Sequence, residues 1–180
     1  MQSSRLIQPK VMDDLFLYRI ARLLATAGAP MVRVCEGEFG ITRREWRIVA
    51  LLAETEGILS SDLAVRAQLD RARTSRALTG LVAKKLVSRT PRPGDRRAVT
   101  LALTAAGRAL FEALFPQAAA INVAALSVLD AAEVALLNST LTKLQRHADA
   151  LAVLRGGQDG PRADRHRGGR SRQRAETRPA

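Results

Sequence analysis

Arg71, Arg73 and Arg76 fall within six residues, with Thr74 and Ser75 between them. A guanidinium can bridge O6 and N7 of a guanine, a contact worth ~1–3 kcal/mol of discrimination between bases. A second basic group, Arg92, Arg96 and Arg97, surrounds Asp95 beside Pro91, Pro93 and Gly94. Arginines at the tip of a turn suit a narrow minor groove, whose negative potential attracts them. Upstream, Ser60 and Ser61 open a short helical segment and offer hydroxyls and a helix N-terminus to phosphate. For each arginine, a plain phosphate contact or a solvated charge is the simpler alternative to a base contact.

Other chemistries find little support. The two histidines, His147 and His166, and the single cysteine, Cys35, make no cluster with metal-ligand spacing. There is no phosphate-cradling or dinucleotide glycine motif, and no nucleophile has an evident base beside it. The residues therefore argue against an enzyme, a metal site or a cofactor.

Stepping outward from the arginines, Asp70 is placed to cap a helix over 71–85, with Leu78, Leu81 and Val82 on its inner side. Thr74 is ambiguous between groove and core. Two β-like runs follow, Val87–Thr90 and Ala98–Leu103, joined by the Pro-Gly turn; Val99, Leu101 and Leu103 share one face of the second. Ser60 or Ser61 caps a short helix ending near Ala67. A short helix, a basic helix and an arginine-tipped hairpin make a winged helix-turn-helix, whose second helix enters the major groove.

The flanks read as helices. One runs from about Val11 to Val34, bent or briefly interrupted at Gly28 and Pro30. Thr42-Arg-Arg-Glu45 is a capping box, stapled by Ile41 and Trp46, that starts a helix over 43–54. Thr104 caps a helix over about 105–128, which Pro116 should kink, and Asp130-Ala-Ala-Glu133 is a second capping box. The fold class is thus mainly α with a small β-hairpin wing. Residues 11–34 and 105–154 form a helical dimerisation region, 41–104 the DNA-binding domain, and 155–180 a disordered Arg-rich tail.

Charge supports the division. Of a net +12, the span from Arg66 to Arg97 carries ten Lys or Arg against two Asp, and the segment from Arg155 onward eight Arg against three acids. The rest is near neutral, so positive charge is focused on the motif and the tail, as a phosphate backbone requires. The tail either adds sequence-independent phosphate attraction or is a solvated end. One cysteine excludes an internal disulfide and fits a reducing cytoplasm. No apolar run follows Met1, and the longest uncharged run, 113–129, falls short of the ~20 apolar residues of a membrane span. Apolar residues such as Phe111, Leu114, Phe115 and Ile121 exceed what an intramolecular helix core needs, which points to a homodimer. A two-fold dimer sets its recognition helices ~34 Å apart on a palindromic duplex site.

Leu78, Leu81, Leu86-Val87 and Arg89, then Asp95-Arg96-Arg97, then Leu103-Thr104 and Gly107, resemble the MarR family of bacterial transcriptional regulators over about residues 13–151. Lys85 departs from the pattern, standing where the family usually ends its recognition helix on glycine. The resemblance implies that Asp95 and Arg97 pair to stiffen the wing. It also implies a ligand pocket built from the first, second and fifth helices, with repression released by phenolic or aromatic carboxylates or aromatic acyl-CoA thioesters. Arg19, Arg22, Arg43, Arg44, Trp46 and Arg47 lie in or near that region; arginine forks suit carboxylate or phosphate. Trp46 either stacks an effector ring or serves only as the staple. The run from Cys35 to Trp46 looks like regulators found beside aromatic-catabolism genes.

Two alternatives fit the same residues. Cys35 could make the protein redox-responsive, although peroxide-sensing relatives carry their cysteine near the start of the first helix and Cys35 lies near its end. A sequence-tolerant architectural DNA-binding protein would use the same basic surface and tail.

Overall fold

The computed structural model describes residues 5–55, 57–67, 71–92 and 95–156, with the backbone alone at 61, 64, 71, 92, 95–98 and 153–156. Asp70, the Pro93-Gly94 turn and residues 157–180 of the tail lie outside the described residues. Two compact units divide at Val128/Leu129.

In the first unit, a 3-10 turn at Met12–Asp14 precedes α1 (Phe16–Ala27) and α2 (Ala29–Arg33), and a π-helical turn over Val34–Glu38 closes the segment. The single helix expected from Val11 is thus broken twice. Asp14 stops the first break from becoming helix: its carboxylate accepts from the amides of Lys10 (3.0 Å) and Val11 (3.2 Å). Gly28 and Pro30 produce the second, where the sequence placed it.

Thr42 starts α3 (Arg43–Glu54) as the capping box requires. Its Oγ1 accepts from the Glu45 amide (3.2 Å), and its own amide donates to Glu45 Oε2 (2.7 Å). Ile48, Val49 and Leu52 then face inward at helical spacing and are fully buried. β1 (Ile58–Leu59), a strand the hydrophobic pattern was too short to signal, leads into α4 (Ser60–Arg66). The N-cap of α4 is Leu59, with no side-chain cap; Ser60 is already in the helix, which corrects the expected serine cap.

α5 (Arg71–Ala83) buries Ala77, Leu78 and Leu81. It ends with the Leu86 amide on the Leu81 carbonyl (2.9 Å) and the Lys85 amide on that of Val82 (2.9 Å). These paired bonds need a left-handed residue between them. Lys85 supplies it, at φ 58°. The departure from glycine is therefore accommodated by a left-handed lysine.

β2 (Val87–Arg92) and β3 (Asp95–Leu103) pair antiparallel, with Val87 opposite Leu103 and Pro91 opposite Val99, and a register shift at Pro91/Arg92. β1 adds to the far edge of β3, giving the order β1-β3-β2. The wing strands are longer than the apolar alternation alone indicated.

α6 (Ala105–Leu126) begins at a junction that explains the Leu-Thr-x-x-Gly pattern. Thr104 Oγ1 accepts from the Gly107 amide (3.0 Å) and donates to the Lys85 carbonyl (2.7 Å), while the Thr104 amide donates to Leu86 (3.1 Å). A Cβ on Gly107 would drive into the Leu86 carbonyl. One threonine and one glycine thus join the end of α5, the wing and α6. The helix continues through Pro116. By length and composition α6 could cross a bilayer, yet Leu114 is fully buried in the core and Phe111 packs against it.

In the second unit, α7 (Ala131–Gly156) starts at the expected capping box: Asp130 Oδ1 accepts from Glu133 (2.8 Å) and Glu133 Oε2 from Asp130 (2.9 Å).

Candidate nucleic-acid interface and adjoining cleft

α5 divides by face. Arg73, Ser75 and Arg76 are exposed on one side, and Ala77, Leu78 and Leu81 are buried on the other. Thr74 belongs to the buried side, at 3% exposure. That resolves its ambiguity against a groove contact: a side chain so enclosed does not reach a base. Ser60 is exposed at the first turn of α4. Ser61 follows it in α4, Arg71 opens α5, and Arg92, Asp95, Arg96 and Arg97 lie on the wing, with Arg92 and Asp95 opposite each other at its tip. Whether Asp95 pairs with Arg97 lies outside the described side chains. Arg89, on β2, adds an exposed guanidinium to the same hairpin.

A cleft of about 870 Å³ adjoins this surface. Leu24 of α1, Met31 and Val32 of α2, and Trp46 and Leu51 of α3 give it apolar walls, and Arg43, Arg44 and Arg47 line it from α3. Each arginine is held differently. The Arg43 guanidinium lies over Gly28, where a Cβ would sit 2.9 Å from its Nη1. Arg47 Nη1 donates to the Ala67 carbonyl (3.1 Å) at the end of α4. Arg44 is exposed. Trp46 is half-buried and stacks on Phe111 at 5.8 Å, which in turn packs on Phe115 at 5.3 Å. The tryptophan thus packs its ring on Phe111 and also lines the cleft.

Arg19 and Arg22 do not join this group. They line a separate depression on α1 with Leu23 and Thr26. Arg22 donates to Asp13 Oδ1 (2.7 Å) and lies over the Tyr18 ring at 5.9 Å. The six residues assembled from sequence position are therefore two groups in the folded unit.

Two features escaped the sequence. Arg73 of the recognition helix lines the cleft as well. Glu45, besides capping α3, is buried and accepts from Lys84 Nζ through both oxygens (3.0 and 2.9 Å), while the same ammonium donates to the Gly40 carbonyl (2.8 Å). Helix periodicity marks neither, because each depends on how α3 and α5 cross.

Cys35 is fully buried, and loss of solvent raises its thiol pKa above the usual 9.0, against the lowering effect of Arg43. A buried, protonated thiol is a poor peroxide sensor.

The MarR family profile matches residues 39–98. The transcriptional regulator FarR of Neisseria gonorrhoeae is 35% identical over 111 residues, covering 62% of this chain and 76% of FarR. A MarR/EmrR-family regulator from Acinetobacter sp. ADP1 superposes with a TM-score of 0.68 at 25% identity, over 78% of this chain and 99% of that one. BpsR of Bordetella bronchiseptica, whose DNA binding is regulated by 6-hydroxynicotinic acid, shares the fold with a TM-score of 0.70 at 23% identity, over 76% and 97% of the two chains. An exposed basic recognition helix, a paired wing and this kinship agree: the chain belongs to the MarR family and is a winged-helix, DNA-binding transcriptional regulator, not an enzyme.

Proposed function

We propose that this regulator is a cytoplasmic homodimer that represses from a palindromic operator and is released by a small aromatic carboxylate or its CoA thioester. Arg73 and Arg76 are the base-reading residues in this account. Ser60, Ser61, Arg71 and Ser75 contact the phosphate backbone, and Arg92, Arg96 and Arg97 carry the wing into the minor groove. Phe16, Ile20, Leu23 and Leu24 leave an apolar face of α1 exposed in the single chain, as do Leu141 and Leu144 on α7, which favours a dimer interface. Residues 11–34 and 105–154 supply it.

The observation that carries the effector reading is the cleft itself, which Trp46 lines together with Arg43, Arg44 and Arg47 and with the apolar Leu24, Met31, Val32 and Leu51. Pockets with apolar walls and a few convergent polar groups are the usual form of small-molecule sites. BpsR responds to an aromatic acid. Release follows only if the effector binds better to a state that holds DNA poorly.

The test is fluorescence anisotropy of the protein on its own upstream DNA with excess random duplex, followed by benzoate, hydroxybenzoates and benzoyl-CoA. Specific binding reversed by one of these supports the reading. Specific binding that none of them reverses removes the effector class. Equal loss to random duplex favours a sequence-tolerant architectural role.

A further inference from the structure

The recognition helix brings more than arginines to a groove. At about 100° per residue, Ala72, Arg76, Thr79 and Ala83 fall within about 60° of one another around the axis of α5. All four are exposed. Thr74, Ala77, Leu78 and Leu81, all buried, occupy the opposite side. Arg76 thus stands in the middle of the outward face, with Ala72 one turn before it and Thr79 one turn after. At ~1.5 Å per residue, Ala72 and Thr79 lie about 10.5 Å apart along the axis. That is close to three base-pair steps of ~3.4 Å.

Both flanking residues are apolar in what they offer a base. Ala72 carries only a methyl. Thr79 Oγ1 donates to the Ser75 carbonyl (2.9 Å), which commits the hydroxyl proton to the helix and leaves the γ-methyl for contact. The one methyl on a major-groove base edge belongs to thymine, and alanine and threonine methyls are suited to pack on it. We infer that Ala72 and Thr79 set operator specificity by packing on two thymine methyls that flank, in each half-site, the base read by Arg76. This role rests on the base reading assigned to Arg76 above and extends it to the neighbouring positions. The guanidinium selects guanine through hydrogen bonds. The two methyls select thymine against cytosine, which lacks the C5-methyl and would turn its N4 amine toward an apolar group that cannot accept.

The probe is a duplex selected from a random-sequence pool by the full-length protein, with each thymine replaced in turn by deoxyuridine. That replacement removes the methyl and keeps every hydrogen-bonding group of the base. Anisotropy competition should find two thymines in each half-site, about three base-pair steps apart, whose replacement weakens wild-type binding. The loss should be roughly fourfold per half-site, as expected for one buried methyl. Ala72→Gly should be indifferent to uracil at one of these positions and Thr79→Ser at the other. Thr79→Val, which keeps the methyl and discards the hydroxyl, should respond as wild type does. Urea unfolding confirms that the variants fold. Wild-type binding that ignores every uracil overturns the inference while base reading by Arg76 stands, as does full uracil sensitivity in Ala72→Gly and Thr79→Ser. A Thr79→Val that loses its sensitivity while Thr79→Ser keeps it also overturns it, since the hydroxyl is then the reading group. A wild type that selects no sequence overturns both.

Discussion

The Lys84 ammonium sits 2.9 Å from Glu45 Oε2, and this pair fastens the end of the recognition helix to the start of α3. Glu45 also fills the space over Gly80, where a Cβ would lie 2.5 Å from Oε1. The carboxylate is buried and the ammonium about two-fifths exposed, so the pair is only partly screened. One residue therefore caps α3, anchors Lys84 and crowds Gly80 in the last turn of α5.

Gly80→Ala should destabilise the protein, although alanine is normally better than glycine in a helix by ~1 kcal/mol. Displacing Glu45 from Lys84 and the Thr42 amide outweighs that gain, for a net loss of about 1–2 kcal/mol in urea unfolding. In a Glu45→Ala background the same change should become neutral or stabilising. Equal effects in the two backgrounds would contradict the steric argument.

Lys85→Gly should stabilise. A lysine at φ 58° pays a left-handed conformational penalty of ~1–2 kcal/mol, partly offset by the greater freedom glycine gains when unfolded. A rise of up to about 1 kcal/mol in chemical denaturation is expected. A loss would mean that the lysine side chain supports the junction beyond its backbone.

Thr104→Ala removes the cap of α6 and the hydroxyl donor to Lys85 together. The cost should exceed the ~1 kcal/mol of an ordinary cap substitution. Thr104→Ser, which keeps both hydrogen bonds, should recover most of it, as read from the urea midpoint.

The pH response has two ends. Hydrogen bonds from the Lys10 amide and then the Val11 amide, aided by Arg5 and Arg19, hold the Asp14 carboxyl below its usual 3.8 despite burial. Its folded pKa is depressed, so its stabilisation is present above 3.8 and is lost as pH falls through the lower folded value. Asp14→Asn should flatten the acid limb of a stability profile. Cys35 is shifted the other way, upward by burial, so its contribution holds below 9.0 and fades at higher pH. Native protein should resist iodoacetamide at pH 8, and alkylation at the rate of an exposed thiol would contradict its burial.

The sequence carried the local chemistry well. Thr42 and Asp130 cap through capping boxes and Thr104 through its hydroxyl alone, and each signal is written within four residues. Lys85 stood out only through the resemblance, which puts a glycine there, and its left-handed backbone is a finding of the structure. Elements set by tertiary contact were harder. The two-residue β1 exists only because β3 offers an edge, with Ile58 opposite Leu101. The break before Phe16 depends on where one aspartate's oxygens fall. For the site, sequence position grouped Arg19 and Arg22 with Arg43 and Arg44, while Arg73 was assigned to DNA alone. Neither the separation nor the convergence has a linear signature, since both follow from the packing of α1, α3 and α5.

The most direct test of the account is a competition measurement on a duplex selected from a random-sequence pool by the purified protein. Wild type should prefer the selected palindrome over random duplex by ~10³-fold or more. Arg76→Ala should lose much of that preference, about 1–3 kcal/mol per half-site, while retaining salt-dependent binding to any duplex. Preference that survives in Arg76→Ala, or a wild type with none, would contradict base reading by the exposed face of α5.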